Sequence, residues 1–175
     1  RNIQQTDRVD ARVNEMSIDR LRELFTVSDD GRLIRKITTS PRAKAGHEAG
    51  HADSDGYLHV DINYKKFKTH RIVFAMTHGR WPTKEIDHIN GIKSDNRPDN
   101  LREATNAQNK MNTPAQANNR LGIKGVYPDR KTGRYRAFIA IAGKQKYLGV
   151  FTTLEAASGA YKAAAAELFG EFAYD

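Results

Sequence analysis

Glu85-Ile86-Asp87-His88-Ile89-Asn90-Gly91 reads as a short alternating strand running into a turn forced by glycine. Lys93 to Asp99 follows as polar loop, and Asn100-Leu101-Arg102-Glu103 reads as a second strand returning from it. Thr105-Asn106-Ala107-Gln108 has the form of a capping box, so a helix opens there and carries Asn109 and Asn112 in its first two turns. A strand, a wide loop, a strand and a helix in this order are expected to return the first helical turn beside the first strand. Asp87 and Asn109 then face each other across a gap, with His88 alongside.

Such a gap suits particular chemistry. A carboxylate and an amide oxygen are hard donors, matched to one divalent cation of the Mg²⁺ or Mn²⁺ type. Two protein ligands leave most of an octahedral shell for water and phosphate oxygens. An ordinary histidine titrates at ~6.5, so His88 can accept a proton from an attacking water near neutral pH. Cation, base and phosphate together are the parts needed to hydrolyse a phosphodiester bond. Asn90, Asn96 and Asn106 read as residues that cap turns.

Upstream, Arg1 to Glu15 is a polar tail. Ser17 caps a short helix whose apolar face is Ile18, Leu21, Leu24 and Phe25. Asp29-Asp30-Gly31 is a turn into the strand Leu33-Ile34-Arg35-Lys36, and Thr38 to Asp55 is loop without periodicity. His47 and His51 lie in that loop and are expected to face solvent. Leu58, Val60 and Ile62 alternate with polar residues, turn at Asn63-Tyr64, and return through Lys66-Phe67-Lys68 as a hairpin. A helix follows from His70 to His78, stopped by Gly79 and Pro82. His70 reads equally as a DNA contact or as a helix-start residue satisfied by backbone. Trp81 reads as a packing residue.

Downstream, residues 113–119 are small and polar and form a linker. Three strands follow: Lys124 to Tyr127, Arg134 to Ile141, and Lys144 to Phe151. Thr152 and Glu155 form a capping box opening an alanine-rich helix to about Phe169, closed by Gly170. Arg120, Lys124, Arg130, Lys131, Arg134, Arg136, Lys144 and Lys146 are opposed only by Asp129 across Arg120 to Val150, whereas the following helix is acidic. Charge separated in this way predicts a surface that tracks a polyanionic backbone.

Composition narrows the class further. The chain has 175 residues, with 29 Lys+Arg against 21 Asp+Glu for a net charge of +8, and hydrophobic residues make up 38%. A core is therefore available, and the basic balance points to nucleic acid. No apolar run approaches a membrane span, and no signal-peptide pattern opens the chain. With no cysteine, disulfides, thiolate nucleophiles and cysteine-bearing zinc sites are excluded. An intracellular protein with no membrane partner and no obligate protein partner is expected.

Asp87-His88-Ile89-Asn90-Gly91, Asp95-Asn96-Arg97-Pro98-Asp99-Asn100-Leu101-Arg102 and Gln108-Asn109 together closely resemble the HNH endonucleases, whose site is a ββα-metal motif. His70-Arg71-Ile72-Val73-Phe74-Ala75 resembles the segment preceding that motif in phage and intron-encoded members. The resemblance implies Asp87 and Asn109 as metal ligands and His88 as general base. It implies Asn100 as the middle asparagine, which pins the loop through backbone hydrogen bonds and so orients the base. Relatives with histidine ligands differ here, which argues for magnesium-type ligation. A third ligand, where relatives have one, falls near Asn112 or Thr113 and stays open.

Residues from about Asn119 to Ala173 resemble the AP-two/ethylene-response-factor DNA-binding domain, through Gly125-Val126-Tyr127, Gly133-Arg134-Tyr135-Arg136-Ala137 and Tyr147-Leu148-Gly149-Val150-Phe151-Thr152. That resemblance implies a three-stranded sheet laid in the major groove of double-stranded DNA, with one helix behind it. Alternation places Tyr135, Ala137, Ile139 and Ile141 toward the helix and Arg134, Arg136, Phe138 and Ala140 outward. The matched positions imply DNA contact by Lys124, Tyr127, Arg136, Gln145 and Tyr147, with Arg134 beside them. Phe138 and Ala140 stand where the plant domains carry charged contacts, so base preference does not transfer.

The expected fold is therefore α+β. Residues 1–15 are tail, 16–112 a nuclease unit with its ββα-metal core at 85–112, 113–119 linker, and 120–175 the DNA-binding domain. The expected function is metal-dependent cleavage of double-stranded DNA, of the phage homing type. A restriction or repair nuclease, or a catalytically inactive DNA-binding factor, are the alternatives.

Overall fold

In the computed structural model, residues 16–115, 119–141 and 143–173 are described; the tail expected over 1–15 and the centre of the expected linker lie outside them. The chain forms two compact units, Arg1–Ala104 and Thr105–Asp175. The architecture is mixed, with small antiparallel sheets and short helices in each unit.

The first unit opens with α1 (Ile18–Leu24), where the Ser17 hydroxyl accepts from the Arg20 amide at 3.2 Å. Phe25, expected on the helix, instead begins β1 (Phe25–Val27), which pairs antiparallel with β2 (Leu33–Arg35). Its backbone is extended (φ −136°, ψ 159°), and a bulky aromatic loses less side-chain freedom in a strand than against a helical turn. Gly31 makes the intervening turn at φ +78°.

A second sheet contains β3 (His51–Ala52), β4 (Leu58–Ile62) and β5 (Lys65–Lys68) in that spatial order. β3 interrupts the stretch read as loop; a two-residue strand has no periodicity to betray it. The β4–β5 turn places Asn63 and Tyr64 at φ 50° and 62°, the left-handed pair that a two-residue hairpin of this hand requires. From β5 the chain enters α2 (Thr69–His78), ended by Gly79 at φ +68°. β6 (Glu85–His88) and β7 (Leu101–Ala104) then form the hairpin, with Asp87 opposite Arg102 and His88 opposite Leu101.

Helix α2 is the shared wall of this unit. Ile72 and Ala75 pack into a cluster with Leu21, Leu24, Leu33, Val60 and Phe67, whereas Val73 and Phe74 pack with Ile86 and Leu101. Fully burying each large aliphatic side chain contributes roughly 1.5–3 kcal/mol. The β6–β7 hairpin is thereby fixed to the rest of the unit through apolar side chains, and its polar residues are left to the site. Trp81 packs as expected, its indole N–H donating to the Met16 carbonyl at 2.9 Å.

The second unit begins with α3 (Asn106–Met111), and both arms of the Thr105/Gln108 capping box are present. β8 (Val126–Asp129), β9 (Arg134–Ile141) and β10 (Lys144–Phe151) form an antiparallel sheet with β9 central. α4 (Leu154–Phe169) covers one face, where Ala157, Tyr161 and Ala165 meet Val126, Ala137 and Ile139. Its cap is Thr153, one residue later than expected, with its hydroxyl accepting from the Ala156 amide. Gly125, at φ +72°, permits the close approach of sheet and helix: a Cβ there would overlap the Phe138 carbonyl and the Tyr161 ring.

Composition placed a boundary after Asn112, whereas the compact units divide ahead of α3. Lys124 supplies a physical tie for α3 within the second unit. Its ammonium donates to the carbonyls of Lys110, Met111 and Thr113 at 3.0, 2.9 and 2.8 Å, satisfying the C-terminal end of that helix. No helix among the described residues is long and apolar enough to cross a membrane.

Candidate active site

Strand β6 delivers Asp87 and His88, and alternation would send their side chains to opposite faces, yet both are buried, at 7% and 5% exposure. Asp87 is compensated across the hairpin. Arg102 Nε donates to its Oδ2 at 2.9 Å, and Arg102 Nη2 lies 2.8 Å from the same oxygen. Sequence reasoning overlooked Arg102, although the strand register alone sets it opposite Asp87.

The loop after β6 is built by asparagine and aspartate side chains. Asn100 Oδ1 accepts from the Asn90 amide at 3.0 Å, and its Nδ2 donates to Asn90 Oδ1 at 3.0 Å and to the Asp95 carbonyl at 2.7 Å. The Ile89 amide donates to the Asn100 carbonyl at 2.9 Å. One buried side chain thus ties the start, the middle and the end of the loop. Asp95 is held in turn by Arg97 in a two-pronged pair at 2.9 Å, and that guanidinium holds its carboxyl at about 2. Asn90 caps a turn as expected, accepting from the Ile92 amide.

Asn96 departs from expectation. It was expected to cap a turn, but it is 1% exposed, and its Oδ1 lies 3.0 Å from His88 Nε2. Asn90 precedes Gly91, the residue of the turn, whereas nothing in the local sequence of Asn96 announces that it turns inward.

Around His88 lie the buried His70 and the half-buried Tyr57. His70 meets it edge-on at 5.1 Å between ring centroids, and Tyr57 lies 6.0 Å from His88 and 5.3 Å from His70. Lys68 and Lys93 place ammonium groups 4.5 and 4.8 Å from the Tyr57 ring centroid. Burial pushes the His88 imidazole below its ordinary range, and it is therefore the neutral, proton-accepting form at physiological pH. His70, at the start of α2, is neither exposed nor satisfied by backbone. Burial takes it down to about 3, and its Nδ1 has no hydrogen-bond partner. His59 is a further buried imidazole, paired through Nε2 with Asp53 at 2.6 Å. His47 and His51 are exposed.

Asp87, His88 and Asn100 thus come together in the first unit, whereas Asn109 stands on α3 in the second. Asn112 is buried at the C-cap of α3, and Thr113 donates its hydroxyl to the Lys110 carbonyl. Among the described residues no group of three or more His, Cys, Asp or Glu side chains assembles as a metal cluster. An aspartate carboxylate such as that of Asp87 is a hard oxygen donor of the kind that suits a Mg²⁺-type cation.

In the second unit the strand register collects most of the expected DNA contacts on the face away from α4. Tyr127 stands opposite Arg136, Tyr147 opposite Phe138, and Gln145 opposite Ala140. The three rings form a ridge, with centroids 6.1 Å apart for Tyr127–Phe138 and 5.3 Å for Phe138–Tyr147. Arg134 and Arg136 are exposed on the same face. Lys124 is drawn away to α3. Lys144 and Lys146 pair with Ile141 and Ile139, so they leave the edge strand toward the α4 side.

Residues 67–111 match the family model described as HNH endonuclease. A protein of Acanthamoeba polyphaga mimivirus, described as an uncharacterized HNH endonuclease, is 31% identical over 116 residues. That stretch is 65% of this chain and 59% of the viral protein, so the chain spans about three fifths of that relative's length. No solved structure matches the chain.

Proposed function

We propose that this HNH domain makes the chain a metal-dependent endonuclease acting on double-stranded DNA, of the phage homing type. The observation that carries the reading is His88: a buried, neutral imidazole beside Asp87, at the mouth of a loop locked by Asn100. His88 takes a proton from the attacking water, and Asn100 keeps the loop, and hence the ring, in place. Asp87 and Asn109 would be the oxygen ligands of one Mg²⁺ or Mn²⁺, which when bound would supply positive charge toward the scissile phosphate. Tyr127, Arg134, Arg136, Gln145 and Tyr147 form the face that meets duplex DNA; their shared side of the sheet supports this part of the reading.

One observation favours a second reading. The Asp87–Arg102 pair balances the carboxylate without any metal, as a DNA-binding protein that does not cut would tolerate. Plasmid cleavage separates the two. With Mg²⁺ or Mn²⁺ the chain is expected to cut, and EDTA is expected to stop it. His88→Ala is expected to lower the rate by ~10²–10⁴-fold, the usual worth of general-base assistance, at nearly constant DNA affinity. A well-folded His88→Ala protein that cuts at the unaltered rate would falsify the mechanism.

A further inference from the structure

We infer that Asn96 is a positioning residue that fixes the tautomer of His88, so that Nε2 carries the proton and Nδ1 is the nitrogen that accepts one. The inference rests on the reading of His88 as the base and names which of its atoms acts.

A neutral imidazole has one N–H and one lone pair, and the group facing either nitrogen decides which is which. Asn96 presents its Oδ1 to His88 Nε2 at 3.0 Å. An amide oxygen only accepts, so Nε2 must donate, and the lone pair falls on Nδ1. The remainder of the Asn96 amide makes this orientation informative. Its Nδ2 is buried without a hydrogen-bond partner, a cost of roughly 1–3 kcal/mol that a surface turn residue would avoid by facing water.

The segment carrying Asn96 is also seated from outside the loop. Gly31, in the turn between β1 and β2, lies against the Asn96–Arg97 peptide so closely that a Cβ would overlap the Asn96 carbonyl and the Arg97 amide nitrogen. Its φ of +78° adds a second reason for glycine. From the other side, Arg97 grips Asp95 and the Asn100 amide donates to the Arg97 carbonyl at 2.9 Å. Asn96 is thus held by backbone on both flanks and cannot follow His88 if the ring turns. The edge-on contact with His70 restrains the same ring from another face.

The test uses the full chain, ¹⁵N-labelled and without DNA, in a long-range ¹H–¹⁵N correlation that separates protonated from lone-pair imidazole nitrogens. The His88 signal is identified by its loss in His88→Gln. Unaltered protein is expected to show the Nε2–H tautomer, and Asn96→Asp, which keeps an oxygen acceptor, is expected to retain it. Asn96→Leu is expected to show mixed tautomers and to cut DNA about tenfold or more slowly at unchanged DNA affinity. An Nδ1–H tautomer in the unaltered protein overturns the inference, whatever the variants do. So does Asn96→Leu with both tautomer and cleavage unchanged. Should the unaltered chain fail to cut DNA while showing Nε2–H, the nuclease reading fails and the tautomer assignment survives.

Discussion

His70 offers a quantitative handle on the surroundings of His88. It is 3% exposed, its Nδ1 has no partner, and burial lowers its pKa from an ordinary 6.5 to about 3. The folded state therefore refuses a proton that the unfolded chain accepts below pH 6.5. Stability is fully present above that value and falls as pH drops toward 3, by about 1.4 kcal/mol per pH unit. Between pH 6.5 and 5 the loss amounts to about 2 kcal/mol, and the lowered His88 acts in the same direction. Carboxylates do not confuse this window. Asp30, Asp95 and Glu103, each held to about 2 by an arginine, lose their partners only at lower pH. The assay is urea unfolding followed by fluorescence of Trp81, the single tryptophan, which packs in the same unit. His70→Gln removes the titrating group and is expected to flatten the stability loss between pH 6.5 and 5 by about 2 kcal/mol. Parallel pH profiles for the two proteins would refute the reasoning.

Two further outcomes follow from the contacts. Asn100→Ala deletes three hydrogen bonds inside a buried loop, so it is expected to destabilise the first unit by about 2–4 kcal/mol and to lower cleavage with it; unchanged urea unfolding and cleavage would remove the locking role. Arg136→Ala is expected to reduce the salt dependence of DNA binding by about one phosphate contact, whereas Lys124→Ala, whose ammonium caps α3, is expected to leave that slope alone and lower the melting temperature; the reverse pattern would reassign the two side chains.

Elements with strong local codes were legible in the sequence. The Thr105/Gln108 capping box forms as read, β9 and β10 begin and end where alternation put them, and Tyr135, Ala137 and Ile139 turn inward while Arg136 and Phe138 turn outward. Each of these follows from the period of the backbone or from a hydrogen bond within one turn of chain. The departures have a common cause. Phe25 leaves the helix because a core waits for it in a strand, and β3 exists only through its neighbour β4. Lys124 was counted with the DNA contacts by its position in a motif, and its ammonium instead finds the open carbonyls of α3. No local pattern announces such partners.

The candidate site divides along the same line. Asp87, His88 and Asn100 were singled out through a family resemblance carried by residue type and spacing, and the structure places all three in the first unit; the position of Arg102 opposite Asp87 was readable in principle from the strand register. Asn96 was not. Asn90 and Asn96 are chemically identical and lie in one loop, yet one caps a turn with its Oδ1 and the other is buried against His88. Gly31, more than sixty residues earlier, lies against the Asn96–Arg97 peptide, and its missing side chain leaves room for it. The orientation of the proposed base is therefore determined jointly by a loop that a motif can describe and by a turn that it cannot. A sequence match over the motif alone names the candidate reacting groups, while on the tautomer proposal the proton's position on the imidazole would depend on how the N-terminal hairpin packs against the Asn96–Arg97 peptide.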